Sequence, residues 1–272
     1  MAITGAKSRQ AAGYALASAC LKAAALGRRF AVWCAGAAAV MAIMVLWLGA
    51  GLGGPAVSQT ACNVALITAA LAASAACSAK LARTTGRTRW SWALFGSSSL
   101  SWGVGQGIRT WYESILGIEV PSPSLADVGY LGAVALMAAA LLIVPMSSQG
   151  LANRARSVLD GLLISGSLLL VSWVLVLESL VQGNGDSLPG LIISLAHPIG
   201  DVVLITIVLF MLTSSRQTGT MPVPLLLLGA GLAACAVSDI GFAYRTLTGT
   251  YAPSPLIHLG SFAGFLLLLL AA

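Results

Sequence analysis

Long apolar runs separated by short polar or basic stretches make up most of the chain. Each run is about 20 residues long, the length that an α-helix needs to cross the hydrocarbon core of a bilayer. The eight runs lie near 31–53, 60–80, 90–113, 125–146, 158–181, 190–213, 222–246 and 254–272. None shows the alternation over about ten residues that is typical of strands in a membrane barrel. The pattern therefore predicts an all-α, polytopic transmembrane helix bundle of eight spans.

Composition supports a membrane location. Hydrophobic residues make up 58% of the 272 residues and charged residues 8%, with a mean hydropathy of +0.93. A soluble domain has about 25% charged residues. The polar surface is therefore too small to cover a water-soluble globule, and the lipid bilayer is the expected partner.

No linker rich in proline, glycine or serine divides the apolar runs. We therefore predict one eight-helix transmembrane domain, residues 31–272, after a basic cytoplasmic segment, residues 1–30. The last run continues to Ala272 without a polar or basic flank. Transmembrane helices usually finish with such a flank, so we expect this domain to have been cut from a longer protein.

Basic residues predict the orientation of the spans. Twelve of the 14 Lys and Arg residues fall in the N-terminal segment or in the loops after spans two, four and six, all on one side of the predicted membrane. The positive-inside rule assigns that side to the cytoplasm, so both termini are predicted to be cytoplasmic. This topology accounts for the net charge of +6, and no nucleic-acid partner is needed to explain it.

Ionisable residues within the spans fall in one layer near their predicted outer ends. Such residues are costly in a membrane and usually face the interior of the bundle. Pro198 lies between two of them in span six and should kink that helix. The candidate ligand-binding residues are Arg109, Glu113, Asp127, His197, Asp201, Asp239, Arg245 and His258.

Three interpretations of this polar layer are open. Spans four, six and eight each place one polar side chain near their outer start, namely Asp127, His197 and His258, and adjoining helices would form a cavity open to the outside. The charges could instead pair and hold the helices in register, or line a path for protons or ions. The two histidines are also potential haem ligands, but no other motif supports haem, so no cofactor is predicted.

Catalytic and metal-binding motifs are not found in the sequence. There is no P-loop, HExxH, GxSxG or kinase signature, and the five cysteines contain no CxxC pair. We therefore predict neither catalytic residues nor a metal site, and any catalysis is expected in a cytoplasmic domain beyond residue 272.

Two parts of the chain resemble each other. GVGQGIRTWY at 103–112 and DIGFAYRTL at 239–247 each end a span, and each precedes a Pro-Ser-Pro string and another span. The offset is 136 residues at the arginine and 132 at the proline. Copies four spans apart have the same orientation, so the sequence predicts a parallel repeat of two four-helix halves.

Four stretches carry a resemblance to a known family. They are PSPSLADVGYLGA (121–133), RSVLDGLLISGSLLLVSWVLVLESLV (156–181), HPIGDVVLI (197–205) and SDIGFAYRTLTGTY (238–251). Together they resemble the N-terminal multi-span membrane module of actinobacterial cyclic-di-GMP signalling proteins, those with GGDEF and EAL domains. His197 departs from the family, in which a tyrosine is expected before this proline.

The resemblance implies a sensory or anchoring module for signal transduction in the bacterial inner (plasma) membrane. A small or lipid-borne ligand would enter the outward-facing cavity, and a homodimer would follow if the output domain is a cyclase. The alternatives are a small transporter built on the parallel repeat and a purely structural membrane anchor. A transporter would need polar residues in the inner halves of the spans, which are nearly all apolar.

Overall fold

The computed structural model describes residues 27–118, 120–121, 123–144, 188–216, 223–247 and 255–272, and five isolated positions between 159 and 170. Every regular element in these segments is helical. The chain divides into two compact units, residues 1–43 and 44–272. The predicted basic segment, residues 1–30, lies almost wholly outside the described residues, as does most of the fifth predicted span.

The helices in the described segments are numbered here in chain order. They are α1 (Gly27–Gly49), α2 (Gly54–Leu81), α3 (Gly86–Thr110), α4 (Leu125–Ile143), α5 (Leu188–Arg216), α6 (Val223–Leu247) and α7 (Leu259–Ala271). A π-helical turn, Trp111–Leu116, follows α3, and a 3₁₀ turn, Pro255–His258, precedes α7.

Five of these helices are long and apolar enough to cross a membrane, namely α1, α2, α4, α5 and α6. They coincide with the first, second, fourth, sixth and seventh predicted spans, so the prediction of a helical membrane protein is confirmed at this level. The third predicted span forms α3, which is 25 residues long but carries serines, Gln106 and arginines. The eighth forms α7, a helix of only 13 residues, because its first turn is 3₁₀.

Glycines set the ends of two helices. Gly53 has a φ of 86° immediately before α2, and Pro55 in the first turn of α2 loses no intrahelical hydrogen bond. Gly117 has a φ of 63° at the end of the π-helical turn, where the N–H of Ile118 donates to the carbonyl oxygen of Tyr112 at 3.2 Å. Both backbone conformations favour glycine over residues with a Cβ.

Six helices of the second unit form a closed ring in chain order. Each helix from α2 to α6 packs on the next, and α7 packs on both α6 and α2. The most extensive contacts are those of α3 with α4, α2 with α3, and α6 with α7. Among the described helices, the ring contacts therefore join consecutive helices, and the contact of α7 with α2 completes the ring.

The α3–α4 contact is close because it uses small residues. The hydroxyl of Ser98 donates to the carbonyl oxygen of Ala133 at 2.7 Å, and that of Ser101 to Gly129 at 2.8 Å. A Cβ at Gly129 would lie 2.7 Å from the Cα of Gly105. Gly105, in the sequence GVGQG at 103–107, is therefore a close-packing position, and small residues of this kind let helix backbones approach in membranes.

The α6–α7 contact is built in the same way. The hydroxyl of Ser238 donates to the carbonyl oxygen of Ile257. A Cβ at Gly231 would lie 3.1 Å from the carbonyl oxygen of Gly264. Each of these two helix pairs therefore combines facing glycines with a serine that bonds to a backbone carbonyl of the partner helix or of the turn that precedes it.

Candidate functional site

A chain of hydrogen bonds joins α2, α3 and α4 near the end of α3. Nε2 of Gln106 donates to Oδ1 of Asn63 at 3.2 Å, and the hydroxyl of Tyr130 donates to Oε1 of Gln106 at 2.7 Å. Asn63 is 1% exposed and Gln106 is 3% exposed. Buried amides are stable only when they are hydrogen-bonded, and here the oxygen of Asn63 accepts from Gln106 and the oxygen of Gln106 accepts from Tyr130.

An ion pair extends this network into the π-helical turn. Nε of Arg109 donates to Oε1 of Glu113 at 2.9 Å, and Nδ2 of Asn63 donates to Oε2 of the same carboxylate at 3.4 Å. The side chains of Arg109 and Glu113 are 18% and 23% exposed. π-helical turns often occur at functional sites, and this one carries the carboxylate that receives both donors.

Phe242 lies between two of the predicted site residues. The guanidinium carbon of Arg109 is 4.9 Å from the centroid of the Phe242 ring, a cation–π contact. The ring of His258 lies 6.0 Å from the same ring. The aromatic ring therefore links the end of α3 to α6 and to the 3₁₀ turn.

A second polar cluster joins α5 and α6. Asp201 on α5 and Asp239 on α6 are close enough for their charges to interact, and His197 is close enough to Asp239 to interact with its charge. Asp239 is exposed, whereas Oδ2 of Asp201 is buried and has no hydrogen-bond partner among the described residues.

His197 connects the two clusters. Its ring centroid lies 6.1 Å from that of Tyr130, in an edge-on arrangement. Its Nδ1 lies 3.0 Å from the carbonyl oxygen of Ile193. Because a carbonyl oxygen only accepts hydrogen bonds, Nδ1 carries the proton in this contact. Pro198 has no backbone N–H to donate to the carbonyl oxygen of Ser194, four residues earlier. The bond from His197 to Ile193 lies directly beside this missing hydrogen bond.

Asp127 does not join either cluster through a hydrogen bond. Its Oδ2 accepts from the backbone N–H of Ser124 at 2.7 Å and from the hydroxyl of Ser124 at 3.0 Å. A carboxylate in the first turn of a helix is stabilised both by such bonds and by the helix dipole. The acidic residue at the start of α4 is therefore explained by the helix end itself.

Seven of the eight predicted site residues have described side chains, and five of them lie in the clusters above: Arg109, Glu113, His197, Asp201 and Asp239. His258 contacts Phe242, and Asp127 caps α4. Arg245 lies in the last turn of α6, and its side chain lies outside the described residues. Asp127, His197 and His258 were predicted to share a depth. His197 lies in the second cluster, His258 is close enough to Arg109 and Glu113 to interact with their charges, and Asp127 is held by Ser124.

Sequence reasoning missed Asn63, Gln106, Tyr130 and Phe242. The predicted set contains only arginine, aspartate, glutamate and histidine. An uncharged amide in an apolar span is also costly to bury, so Asn63 and Gln106 could have been found by that criterion. Tyr130 and Phe242 resemble ordinary core aromatics, and no signal in the sequence distinguishes them.

The arrangement offers donors and acceptors for a polar ligand on several helices. Within the described residues, no group of three or more His, Cys, Asp and Glu side chains is placed to hold a metal ion. Comparison with protein-family models, curated proteins and solved structures gave no match.

Proposed function

We propose that this chain is the membrane sensory module of a bacterial signal-transduction protein of the cyclic-di-GMP type, located in the inner membrane. The polar clusters on α2 to α6 form its ligand site and face the extracytoplasmic side. Both termini are cytoplasmic and the chain crosses the membrane eight times, with α3 and α7 among the spans. The catalytic output lies in a domain beyond Ala272.

The observation that carries the proposal is the continuity of the polar groups across the ring. Tyr130 on α4 bonds to Gln106 on α3 and lies beside His197 on α5. Tyr130 therefore joins the polar groups of α3, α4 and α5. Polar groups placed only to hold two helices together would need no such continuity, since a single pair suffices.

The position of α7 gives the site a route to the output. Trp102 on α3 and Phe265 on α7 have ring centroids 4.7 Å apart, and Trp102 also lies 5.6 Å from Tyr130. A ligand that binds one arrangement of Tyr130 better than another shifts the population of both. Trp102 would pass that shift to α7, the last helix before the proposed cytoplasmic domain.

Contacts within the ring support the predicted parallel repeat. If α2, α3 and α4 correspond to α5, α6 and α7, then every contact has its counterpart: α2–α3 with α5–α6, α3–α4 with α6–α7, and α4–α5 with α7–α2. Gln106 faces Tyr130, and Phe242 faces His258. When the helices are matched in this way, Tyr130 rather than Asp127 corresponds to His258.

The coding frame beyond Ala272 provides the first test. A cytoplasmic GGDEF or EAL domain there supports the proposal, whereas a stop codon directly after Ala272 contradicts the signalling role.

The second test measures the output. Cyclic-di-GMP is quantified in cells that express the full-length protein, with Gln106→Leu as the variant and Gly107→Ala as its control. Gln106→Leu breaks the network at its centre, and a Cβ at Gly107 meets nothing within 4 Å. The proposal requires cyclic-di-GMP to change with Gln106→Leu alone. Equal levels in both variants, at equal amounts of protein, would refute it.

A transporter is the second candidate function, and the matching contacts of the two sets of three helices favour it. Parallel repeats related by an axis along the membrane normal occur in transporters, with the substrate site at the interface of the repeats. In this reading the clusters would bind a substrate that crosses the membrane. Uptake of labelled solutes into proteoliposomes, lost in Gln106→Leu and kept in Gly107→Ala, would favour transport over signalling.

A further inference from the structure

The geometry points to the turn between α2 and α3 as a binding site for the headgroup of an anionic phospholipid. Three arginines hold its phosphate, namely Arg83, Arg87 and Arg89, which are called the arginine patch below. The site is separate from the polar clusters and goes beyond the proposed function. It requires that α2 and α3 are embedded in a bilayer, and it holds for either orientation of the chain.

Positive charge is concentrated at this turn, and the sequence around it contains no negative charge. Helix α2 ends at Leu81 and α3 begins at Gly86, so Lys80 and the arginine patch lie within the ten residues 80–89. No Asp or Glu occurs in residues 54–112, which include both helices. The turn therefore places four basic side chains at one end of a helix pair that has no acidic residue of its own.

The arginine patch is exposed and has no carboxylate partner among the described residues. All three arginines are exposed. The ion pair found in the described segments is Arg109–Glu113, which lies at the other end of α3. Lys80 differs from the arginines, because its Nζ lies 5.8 Å from the centroid of the Trp92 ring. The arginines can therefore bind an anion that the described part of the chain does not supply.

An exposed tryptophan lies between two of the arginines. The side chain of Trp90 is 66% exposed. At about 100° per residue along a helix, Arg89 lies about 100° to one side of Trp90 and Arg87 about 60° to the other side. Tryptophan prefers the headgroup level of a bilayer. The two arginines therefore flank a residue that favours the depth of the lipid phosphates.

The face of α3 below Trp90 continues as an exposed apolar surface. Val104 lies 14 residues after Trp90, on the same side of the helix, and is 52% exposed. Leu100 is 46% exposed. Acyl chains can pack on this surface while the phosphate contacts the arginines. A soluble anion or a nucleic acid would use the charges without the apolar face, so the combination favours a lipid.

Arginine suits a phospholipid headgroup for geometric reasons. Its planar guanidinium donates two parallel hydrogen bonds to one phosphate group. Clusters of basic residues next to a transmembrane helix also attract anionic headgroups by their charge. Charge and hydrogen-bond geometry therefore favour the same ligand, an anionic phospholipid such as phosphatidylglycerol.

The test is quenching of Trp90 fluorescence by brominated lipid in nanodiscs. The protein is reconstituted in about four parts phosphatidylcholine to one part phosphatidylglycerol, the anionic lipid, and bromine is placed on the acyl chains of one lipid or the other. The Trp90 signal is the difference between a protein and its Trp90→Phe form. We expect phosphatidylglycerol to be enriched about fivefold around Trp90, the effect of one basic residue at an anionic surface.

Two double variants with equal loss of charge distinguish a site from general attraction. Arg87→Gln/Arg89→Gln should abolish the enrichment. Arg28→Gln/Arg29→Gln also removes two exposed positive charges and should leave the enrichment unchanged. Arg83→Gln alone should reduce the enrichment, which tests the contribution of the turn itself. Each variant is measured against its own Trp90→Phe form.

Equal enrichment in the two double variants, or full enrichment in Arg83→Gln, would overturn the site. Enrichment that is lost on addition of inorganic phosphate, but kept with chloride at the same ionic strength, would assign the patch to a soluble anion and overturn the lipid site as well. Losses confined to the patch variants, with resistance to phosphate, would sustain it. The cyclic-di-GMP response of Gln106→Leu is independent of these results, so the lipid site and the sensory function stand or fall separately.

Discussion

Tyr130 contacts both polar clusters, with its hydroxyl bonded to buried Gln106 and its ring beside His197. This position makes Tyr130 part of the proposed ligand site, although in the sequence it looks like an ordinary core aromatic. The hydroxyl fixes the orientation of the Gln106 side-chain amide, whose oxygen and nitrogen are similar in size but respectively accept and donate hydrogen bonds. With Oε1 held by Tyr130, Nε2 is left to donate to Asn63.

Tyr130→Phe should destabilise the protein. The change removes the donor to Oε1 of Gln106 and leaves a buried acceptor without it, which costs about 0.5 to 2 kcal/mol in a membrane interior. Equilibrium unfolding by SDS in bicelles measures the difference. Tyr112→Phe is the control, because the hydroxyl of Tyr112 belongs to neither cluster, and an equal loss in both variants would contradict the assigned role of Tyr130.

Residues at helix ends were partly predictable. Ser124-Leu125-Ala126-Asp127 is itself a helix-capping pattern, so the local role of Asp127 could have been recognised in the sequence. The proximity of Asp201 to Asp239 could not, because it depends on the rotation of α5 relative to α6. The two aspartates are 38 residues apart in sequence, and no local signal sets that rotation.

At the scale of helices, the tight pairs depend on glycine. A Cβ at Gly129 would lie 2.8 Å from the backbone nitrogen of Gly105 and 2.9 Å from the carbonyl oxygen of Ser101. Neither atom belongs to a flexible side chain, so only a shift of α4 away from α3 relieves the contact. Such a shift would also lengthen the hydrogen bond from Ser101 to Gly129.

Gly129→Ala should therefore destabilise the protein by about 1 to 3 kcal/mol, as overpacking does in close-packed interiors. Gly107→Ala should be neutral or stabilise α3 by up to about 1 kcal/mol, since alanine favours helix and nothing lies within 4 Å of its Cβ. Thermal unfolding in detergent compares them. A Gly129→Ala variant as stable as Gly107→Ala would show that α3 and α4 are farther apart than described.

The α2–α3 contact can be tested by a disulfide. A Cβ at Gly96 would lie 3.3 Å from the Cβ of Cys77, close to the separation of about 3.5 to 4.5 Å in disulfides. Gly96→Cys should form a bond to Cys77 under mild oxidation. Cleavage at a protease site inserted after Arg83 would leave the two fragments joined until reduction.

Gly107→Cys is the control for that experiment, because no atom outside its own helix lies within 4 Å of its Cβ. Fragments that separate without reduction in Gly96→Cys, or that stay joined in Gly107→Cys, would contradict the α2–α3 register.

Hydropathy identifies five of the helices clearly as candidate spans and is less informative about α3 and α7. Apolar runs located α1, α2, α4, α5 and α6 because each of these helices has a large lipid-facing surface. α3 is less apolar because serines and Gln106 bond to neighbouring helices, so its polarity reflects its contacts rather than exposure to water. α7 begins late because Pro255–His258 form a 3₁₀ turn, a local conformation that hydropathy does not register.

For the whole molecule, the proposed topology makes a direct prediction. Alkaline phosphatase, which is active only outside the cytoplasm, should be active when fused after Gly117 and inactive after Arg83. Green fluorescent protein, which fluoresces only inside, should do so when fused after Ala272. The reason is the excess of basic residues on one side of the spans. Active phosphatase after Arg83 would reverse the orientation, and a dark fusion at Ala272 would rule out eight spans.

The closed ring also constrains how the protein is made. The face of α2 that finally meets α7 is synthesised early, while its partner emerges only after Pro255. At about 5 to 20 residues per second, a ribosome needs roughly 10 to 35 seconds to cover that interval. During this time α2 must be kept from binding another chain. Truncated or stalled copies of the protein would therefore associate wrongly through α2. Docking of α7 on α2 would complete the assembly of the ring.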